Sequence, residues 1–432
     1  MFETFENLES CVRTYCRDFP AVFKRAKGAL LWDERGRKYI DFFAGAGALN
    51  YGHNNDALKE GLLKYIHEDG IAHGLDLHTE AKQQFIEEFN SIILIPRKLK
   101  FRLMFTGPTG SNVVEAALKL ARKVTGRTNV AAFTNGYHGM SLGALAATGA
   151  NSKRRGAGIP LSNIDRYPFD NYFGPDTDTL SYIERLITDA SSGFDAPAAF
   201  IVETVQGEGG INVASREWLQ RLARLARKLG SLLIVDDIQA GCGRTGRFFS
   251  FEDAGIQPDL VCLSKSLSGF GLPMSMLLIR PELDIWEPGE HNGTFRGNNL
   301  AFVTARLALD YWKAPSFLQN LKQTSDRLNA DLQDAVEHYR DIVPIKTRGR
   351  GLLHGLVMPS TAVASRVSTL AFSKGVILET CGPTGEVLKL MPPLTISSDH
   401  LNEALEVIRE SIDRALYDAA NSDFVSNSDL NQ

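Results

Sequence analysis

From Arg102 to Ile279 the chain repeats one pattern: a short apolar run, a polar or glycine-rich turn, and then a helix-like or looped segment. The apolar runs are "RLMFT", "NVAAFT", "AAFIVE", "SLLIVD", "LVCLSK" and "MSMLLI". Each is too short for a helix and lacks polar alternation, so each reads as a strand covered on both faces. Two of the intervening segments carry clear apolar stripes. From Ser111 to Val124, Val114, Ala117, Leu118 and Ala121 recur at helical spacing. In "SREWLQRLARLARKLG" the stripe is Trp218, Leu222, Leu225, Ala226 and Leu229, and Gly230 stops it. Strands joined through helices need crossover connections. The fold class that follows is α/β, a mostly parallel sheet with helices on both faces, in a large domain at residues 60–312.

The flanks have a different texture. "GALLWDERGRKYIDF" alternates around a turn at Asp33–Gly36 and reads as a β-hairpin. Beyond Lys313 come long amphipathic helices and short strands. Residues 1–59 and 313–420 are expected to build one smaller α+β domain from both termini. Residues 421–432, "NSDFVSNSDLNQ", read as a polar, disordered tail. A chain of 432 residues suits such a pair of domains.

Charge and cysteine usage narrow the function. A formal net charge of −4 gives no basic face for nucleic acid or an anionic membrane. The five cysteines are odd in number and scattered, with neither metal-ligand spacing nor a disulfide framework, so no metal is expected. Cys242 reads as a small packed residue, and the basic "KTRGRG" as a solvated turn before a strand. The N-terminus lacks the apolar core of a signal peptide, and no apolar run approaches the roughly 20 residues of a membrane span, so cytoplasm is the expected location. "FFAGAGAL" resembles the opening of a dinucleotide fingerprint, but Asn50 stands where a glycine or alanine is needed and "NYGHNND" is turn chemistry. A substrate-facing loop is the better reading.

In an open parallel sheet, ligands bind beyond the carboxyl ends of the strands. Thr109, Gly110 and Ser111 follow the first run; Tyr137 and His138 the second; Glu203, Gln206 and Glu208 the third. Asp236, Ile238 and Gln239 follow the fourth, and Ser264 and Lys265 the fifth. Asp236 is the pivotal oddity, because a carboxylate ending a buried strand is costly unless a cation meets it. Together the strand ends supply a helix start for a phosphate, an aromatic plate, a buried acid and a lysine. Pyridoxal phosphate needs all four: the acid for its protonated ring nitrogen, the lysine for a Schiff base. Gln239 suits the ring's phenolic oxygen and Ile238 its apolar face. Duller readings stand beside these: Tyr137 as a core aromatic, His138 as a packed or capping residue, Glu203 as an acceptor steadying a loop.

The joint pattern resembles the class III, or ω-type, aminotransferases, which are pyridoxal-phosphate enzymes of fold type I. "DDIQAGCGRTG" with Lys265, "ETVQGEGG", "NGYHGM" and "TGSNVVEAALKLAR" each match that family's motifs, and the resemblance covers nearly the whole chain. "HNGTFRGNN" is similar to a segment that reaches the phosphate of the neighbouring subunit, which implies a role for Thr294 and an active site between two subunits of a homodimer or larger homo-oligomer. "DFFAGAGALNYGHNN" and "WEPGEHNGTFRGNN" narrow the resemblance to the diaminobutyrate–2-oxoglutarate group of ectoine biosynthesis. That implies a ping-pong exchange of the 4-amino group between L-2,4-diaminobutyrate and glutamate, with amino acids and 2-oxo acids as partners. Another ω-aminotransferase, for acetylornithine, ornithine or 4-aminobutyrate, and a pyridoxal-phosphate aminomutase are the alternatives.

The resemblance also implies how the substrate carboxylate is gripped. In the family, the glutamate matching Glu208 often pairs with a C-terminal arginine that grips the 2-carboxylate of glutamate. Lys389 stands at the arginine's place, a point charge instead of a bidentate fork. Lys389 or Arg296 is expected to take the carboxylate.

Overall fold

The computed structural model describes residues 2–428, with side chains described as far as Asn421. A seven-stranded sheet dominates it. Its spatial order is Arg102–Phe105, Met276–Ile279, Leu260–Leu263, Leu232–Asp236, Ala199–Val202, Val130–Phe133 and Ile164–Tyr167. The last five of these run parallel, and Met276–Ile279 runs antiparallel between Arg102–Phe105 and Leu260–Leu263. Parallel strands must be wrapped by helices, and the burial agrees: every residue of Leu232–Asp236, Ala199–Val202 and Leu260–Leu263 is buried.

The helix Gly110–Thr125 shows how the sequence sets one wrapping element. Thr109 caps it by accepting from Asn112 N, and Asn112 returns the bond to the Thr109 amide. Val113, Val114, Ala117, Leu118 and Ala121 are fully buried. They pack over Cys262 and Leu277 of the sheet, so the first turn of the helix is held at the sheet's carboxyl edge.

The two ends of the chain meet in one sheet. Phe23–Lys27, Leu30–Asp33 and Lys38–Asp41 pair antiparallel, and Val376–Ile377 adds in parallel to the third. The hairpin turn at Asp33–Gly36 lies where the sequence places it; Asp33 Oδ1 accepts from the amides of Arg35 and Arg37. A second sheet runs Lys346–Arg350, Leu353–Val357, Val387–Leu390 and Glu379–Cys381, all antiparallel. Helix Thr361–Ser373 packs on its strands Glu379–Cys381 and Val387–Leu390, helix Pro315–Tyr339 packs on Lys346–Arg350, and Ser398–Ser428 packs against Thr361–Ser373.

Two local readings differ from the structure. "KTRGRG" is a strand through Arg350, not a solvated turn: Arg348 and Arg350 are part-buried, and Arg350 Nη2 donates to the Ser250 carbonyl at 2.7 Å. Arginine stems cover apolar surface while the heads find acceptors, so a basic run can belong to a sheet. The final helix continues to Ser428, eight residues into the stretch read as a tail (421–428), because each added residue extends an existing helix at little cost. Residues 429–432 lie outside the described residues. Helix Asp56–His67 runs across the 59/60 boundary and packs on Asn299–Ala308.

Candidate active site

Five strand ends converge on one cavity of about 190 Å³. Asp236 is the last residue of its strand and is 3% exposed. Its Oδ1 accepts from the Ile238 amide at 3.2 Å, and its Oδ2 lies 2.7 Å from His138 Nδ1. A carboxylate only accepts, so Nδ1–H donates and the imidazole is locked to Asp236. This partnership answers the cost of burying Asp236 and assigns His138: it lines the cavity and orients the acid.

Asp237 points elsewhere, as strand alternation requires. Its Oδ2 accepts from Ser250 N at 3.1 Å, while Oδ1 is buried without a partner among the described residues. Burial pushes its carboxyl up to about 7. Glu203, after the neighbouring strand, is also pushed up to about 7 by burial. Its two oxygens accept from Tyr137 N at 2.8 Å and Gly207 N at 3.2 Å, so it fixes the aromatic loop from behind.

That loop is tethered at two further points. His138 N donates to Thr148 Oγ1 at 2.9 Å, and Met140 N to Ser111 Oγ at 3.0 Å. Gly139 lies between them at φ 130°, where an added Cβ would overlap Ser111. Tyr137 and Ser111 are thereby both held at the lining of the same cavity.

Lys265 follows strand Leu260–Leu263 with φ 50°, a sparsely populated backbone state for a non-glycine residue. Such strain persists only where the surroundings impose it. Here they do: Ser266 Oγ donates to Gly47 O at 2.7 Å and accepts from Asn50 N at 3.0 Å, pinning the lysine segment to the "FFAGAGAL" loop. Burial, and secondarily the Lys389 ammonium, lower the Lys265 pKa against the opposing pull of Glu208.

Glu208 opens onto this cavity and onto an adjoining one of about 670 Å³. Its Oε1 meets Lys389 Nζ at 2.7 Å and Gln239 Nε2 at 3.2 Å. Burial alone would raise its pKa, but Lys389 and Lys265 outweigh burial and hold it down to about 2. Lys389 is fully buried and touches a second carboxylate, Glu379, at 2.9 Å. The sequence reading missed Glu379. Its signal was the turn in "ETCGPTGEVLKL", whose hairpin register sets Glu379 opposite Lys389.

Two expected residues stand apart in this chain. Thr294 lines a separate cavity of about 340 Å³ beside Pro108 and Phe295. Arg296 contacts Asp76 at 3.9 Å and Asn292 at 3.4 Å and does not line the Lys265 cavity. Cys242 is buried and its thiol is pushed far up by burial, so it stays neutral.

The chemistry of the donor set fits pyridoxal phosphate. Gln239 Oε1 is a buried acceptor without a partner among the described residues, at the cavity wall. At Gly110 an added Cβ would come within 3.1 Å of Ile238, so backbone there can approach a ligand closely. The amides of Gly110 and Ser111, ahead of the Asn112 amide that Thr109 caps, have no acceptor within the helix and face an anion favourably.

Comparisons with known proteins agree. The family model for aminotransferase class-III matches residues 13–412. The chain is 56% identical over 408 residues to diaminobutyrate–2-oxoglutarate transaminase of Halalkalibacterium halodurans, covering 94% of this chain and 95% of the relative. It is 57% identical to the enzyme of that name from Streptomyces anulatus, covering 94% and 97%. Among solved structures, ornithine aminotransferase of Toxoplasma gondii superposes with a TM-score of 0.83 at 27% identity, covering 96% of this chain and 94% of that one. The chain has the fold type I architecture of pyridoxal-phosphate enzymes and belongs to the class-III aminotransferases.

Proposed function

We propose that the chain transfers the 4-amino group of L-2,4-diaminobutyrate to 2-oxoglutarate, and the reverse, giving L-aspartate 4-semialdehyde and L-glutamate. The carrying observation is the pairing of an intact cofactor constellation with relatives of that name at 51–57% identity over most of the chain. When bound, pyridoxal phosphate supplies an aldehyde for an amine and a ring that withdraws electrons.

The chain's residues would do the rest. Asp236, oriented by His138, would keep the ring nitrogen protonated. Tyr137 and Ile238, both lining the cavity, would hold the ring between them. Ser111 and the amides of the Gly110 helix would hold the phosphate, and Gln239 would meet the phenolic oxygen. Lys265 Nζ would anchor the cofactor and, as a free amine, would take up the proton that leaves the substrate's amine-bearing carbon. Burial lowers its pKa, which favours the neutral amine that proton transfer needs. Lys389 takes the substrate carboxylate when Glu208 yields it.

Thr294, exposed and lining a cavity other than the Lys265 cavity of its own chain, suits a place at a partner's phosphate, and we infer a homodimer as the minimum assembly with residues 60–312 as its cofactor-binding domain. Among the described residues no helix is long and apolar enough to cross a membrane. A cytoplasmic place in ectoine synthesis, supplying diaminobutyrate, accompanies this reading.

A donor panel with 2-oxoglutarate as acceptor tests it. Diaminobutyrate should give the highest kcat/KM, above ornithine, acetylornithine and 4-aminobutyrate. A different preferred donor would reassign the substrate, and turnover independent of 2-oxoglutarate would indicate an aminomutase.

A further inference from the structure

Lys389 has two carboxylate partners of unlike mobility. Glu208 lies just beyond the short strand Val205–Gln206, flanked by Gly207, Gly209 and Gly210, and 28% of its side chain is exposed. A carboxylate on such a turn can swing out by local rotation. Glu379 lies in the strand Glu379–Cys381, directly opposite Lys389 in an antiparallel ladder, with 8% of its side chain exposed. Its backbone is fixed by that ladder, so its carboxylate has less freedom than one on a glycine-flanked turn. Apart from Lys389, Glu379 Oε2 has no polar partner among the described residues.

The two half-reactions make unlike demands on this trio. Glutamate and 2-oxoglutarate carry a carboxylate on the reacting carbon, whereas C4 of diaminobutyrate carries none. One half-reaction therefore needs a free face on the Lys389 ammonium and the other does not. If Glu208 were the sole partner, its departure would leave a bare, fully buried ammonium, which sheds its proton or draws in water.

We propose that Glu379 is a positioning residue that anchors the Lys389 ammonium while its other face exchanges Glu208 for the 2-carboxylate of glutamate or 2-oxoglutarate, so that Glu379 sets affinity for the acidic substrate pair alone. This rests on the aminotransferase reading above. The opposing pulls on Glu379 fit the role: burial raises its pKa, and Lys389 lowers it. The exchange is also charge-neutral, because one carboxylate replaces another beside a fixed ion pair.

The test is steady-state kinetics of the cofactor-loaded protein in both directions. In a ping-pong reaction, kcat/KM for each substrate reports its own half-reaction. Glu379→Leu should lower kcat/KM for glutamate and 2-oxoglutarate about tenfold or more, and for diaminobutyrate and aspartate semialdehyde by less than about twofold. Glu379→Gln, which keeps an acceptor oxygen, should recover most of the loss. If the leucine variant fails to fold, Glu379→Asp retracts the charge by one methylene and should show the same one-sided loss, about threefold. Equal losses on both substrate pairs, or none on either, overturn the proposal. A wild-type protein inactive with both pairs overturns the functional reading instead.

Discussion

Asp236 and His138 form a buried pair, Oδ2 to Nδ1 at 2.7 Å, and His138 is the only side-chain partner of that acid among the described residues. Hydrogen bonds to charged groups contribute about 1.5–3 kcal/mol. His138→Ala is therefore expected to lower kcat roughly 10- to 100-fold and loosen cofactor binding, with His138→Asn less severe. Asp236→Ala removes the charge itself and should cost more than His138→Ala. Steady-state kinetics and cofactor titration check the order.

Lys389 separates two carboxylates in a buried site. Removing one member of a buried ion pair costs about 3–5 kcal/mol. Lys389→Ala should lower the melting temperature measurably and raise KM for glutamate severely. An unchanged glutamate KM would remove Lys389 from substrate binding.

Asp237 predicts a pH dependence of stability. Its folded pKa is raised to about 7, so the folded state binds a proton that the unfolded chain releases near 3.8. Stability from this group is full below about 4 and is lost as pH rises to about 7. At about 1.4 kcal/mol per pKa unit the loss is on the order of 4 kcal/mol. Asp237→Asn keeps the acceptor for Ser250 and has no proton to lose. Denaturant unfolding at pH 5 and pH 8 should show the variant gaining on wild type as pH rises.

Thr294 bears on assembly. Sedimentation should show a dimer or larger species, and Thr294→Ala should weaken cofactor retention about tenfold. A monomer that retains cofactor normally would contradict the shared site.

Much of this was legible in the sequence because it rests on short-range pattern. The buried strands announced themselves as unbroken apolar runs, and the site lies at their carboxyl ends, so Asp236, Gln239 and Lys265 could be placed by position along a strand. What was not legible depends on pairing across the chain. Nothing near His138 says that a residue 98 positions away will take its Nδ1 hydrogen. Glu379 was hidden for the same reason: its partner is set by hairpin register, which a turn suggests but a single sequence leaves loose. "KTRGRG" was misread because arginine stems bury while their heads find carbonyl oxygens supplied from elsewhere in the chain.

The most direct test of the central claim isolates one half-reaction. Cofactor-loaded protein mixed with diaminobutyrate and no acceptor should change its visible absorbance in a single stoichiometric turnover. Added 2-oxoglutarate should restore the original spectrum, and Lys265→Ala should abolish the cycle. A spectrum unmoved by diaminobutyrate, or a change that 2-oxoglutarate fails to reverse, would contradict an aminotransferase built on Asp236 and Lys265.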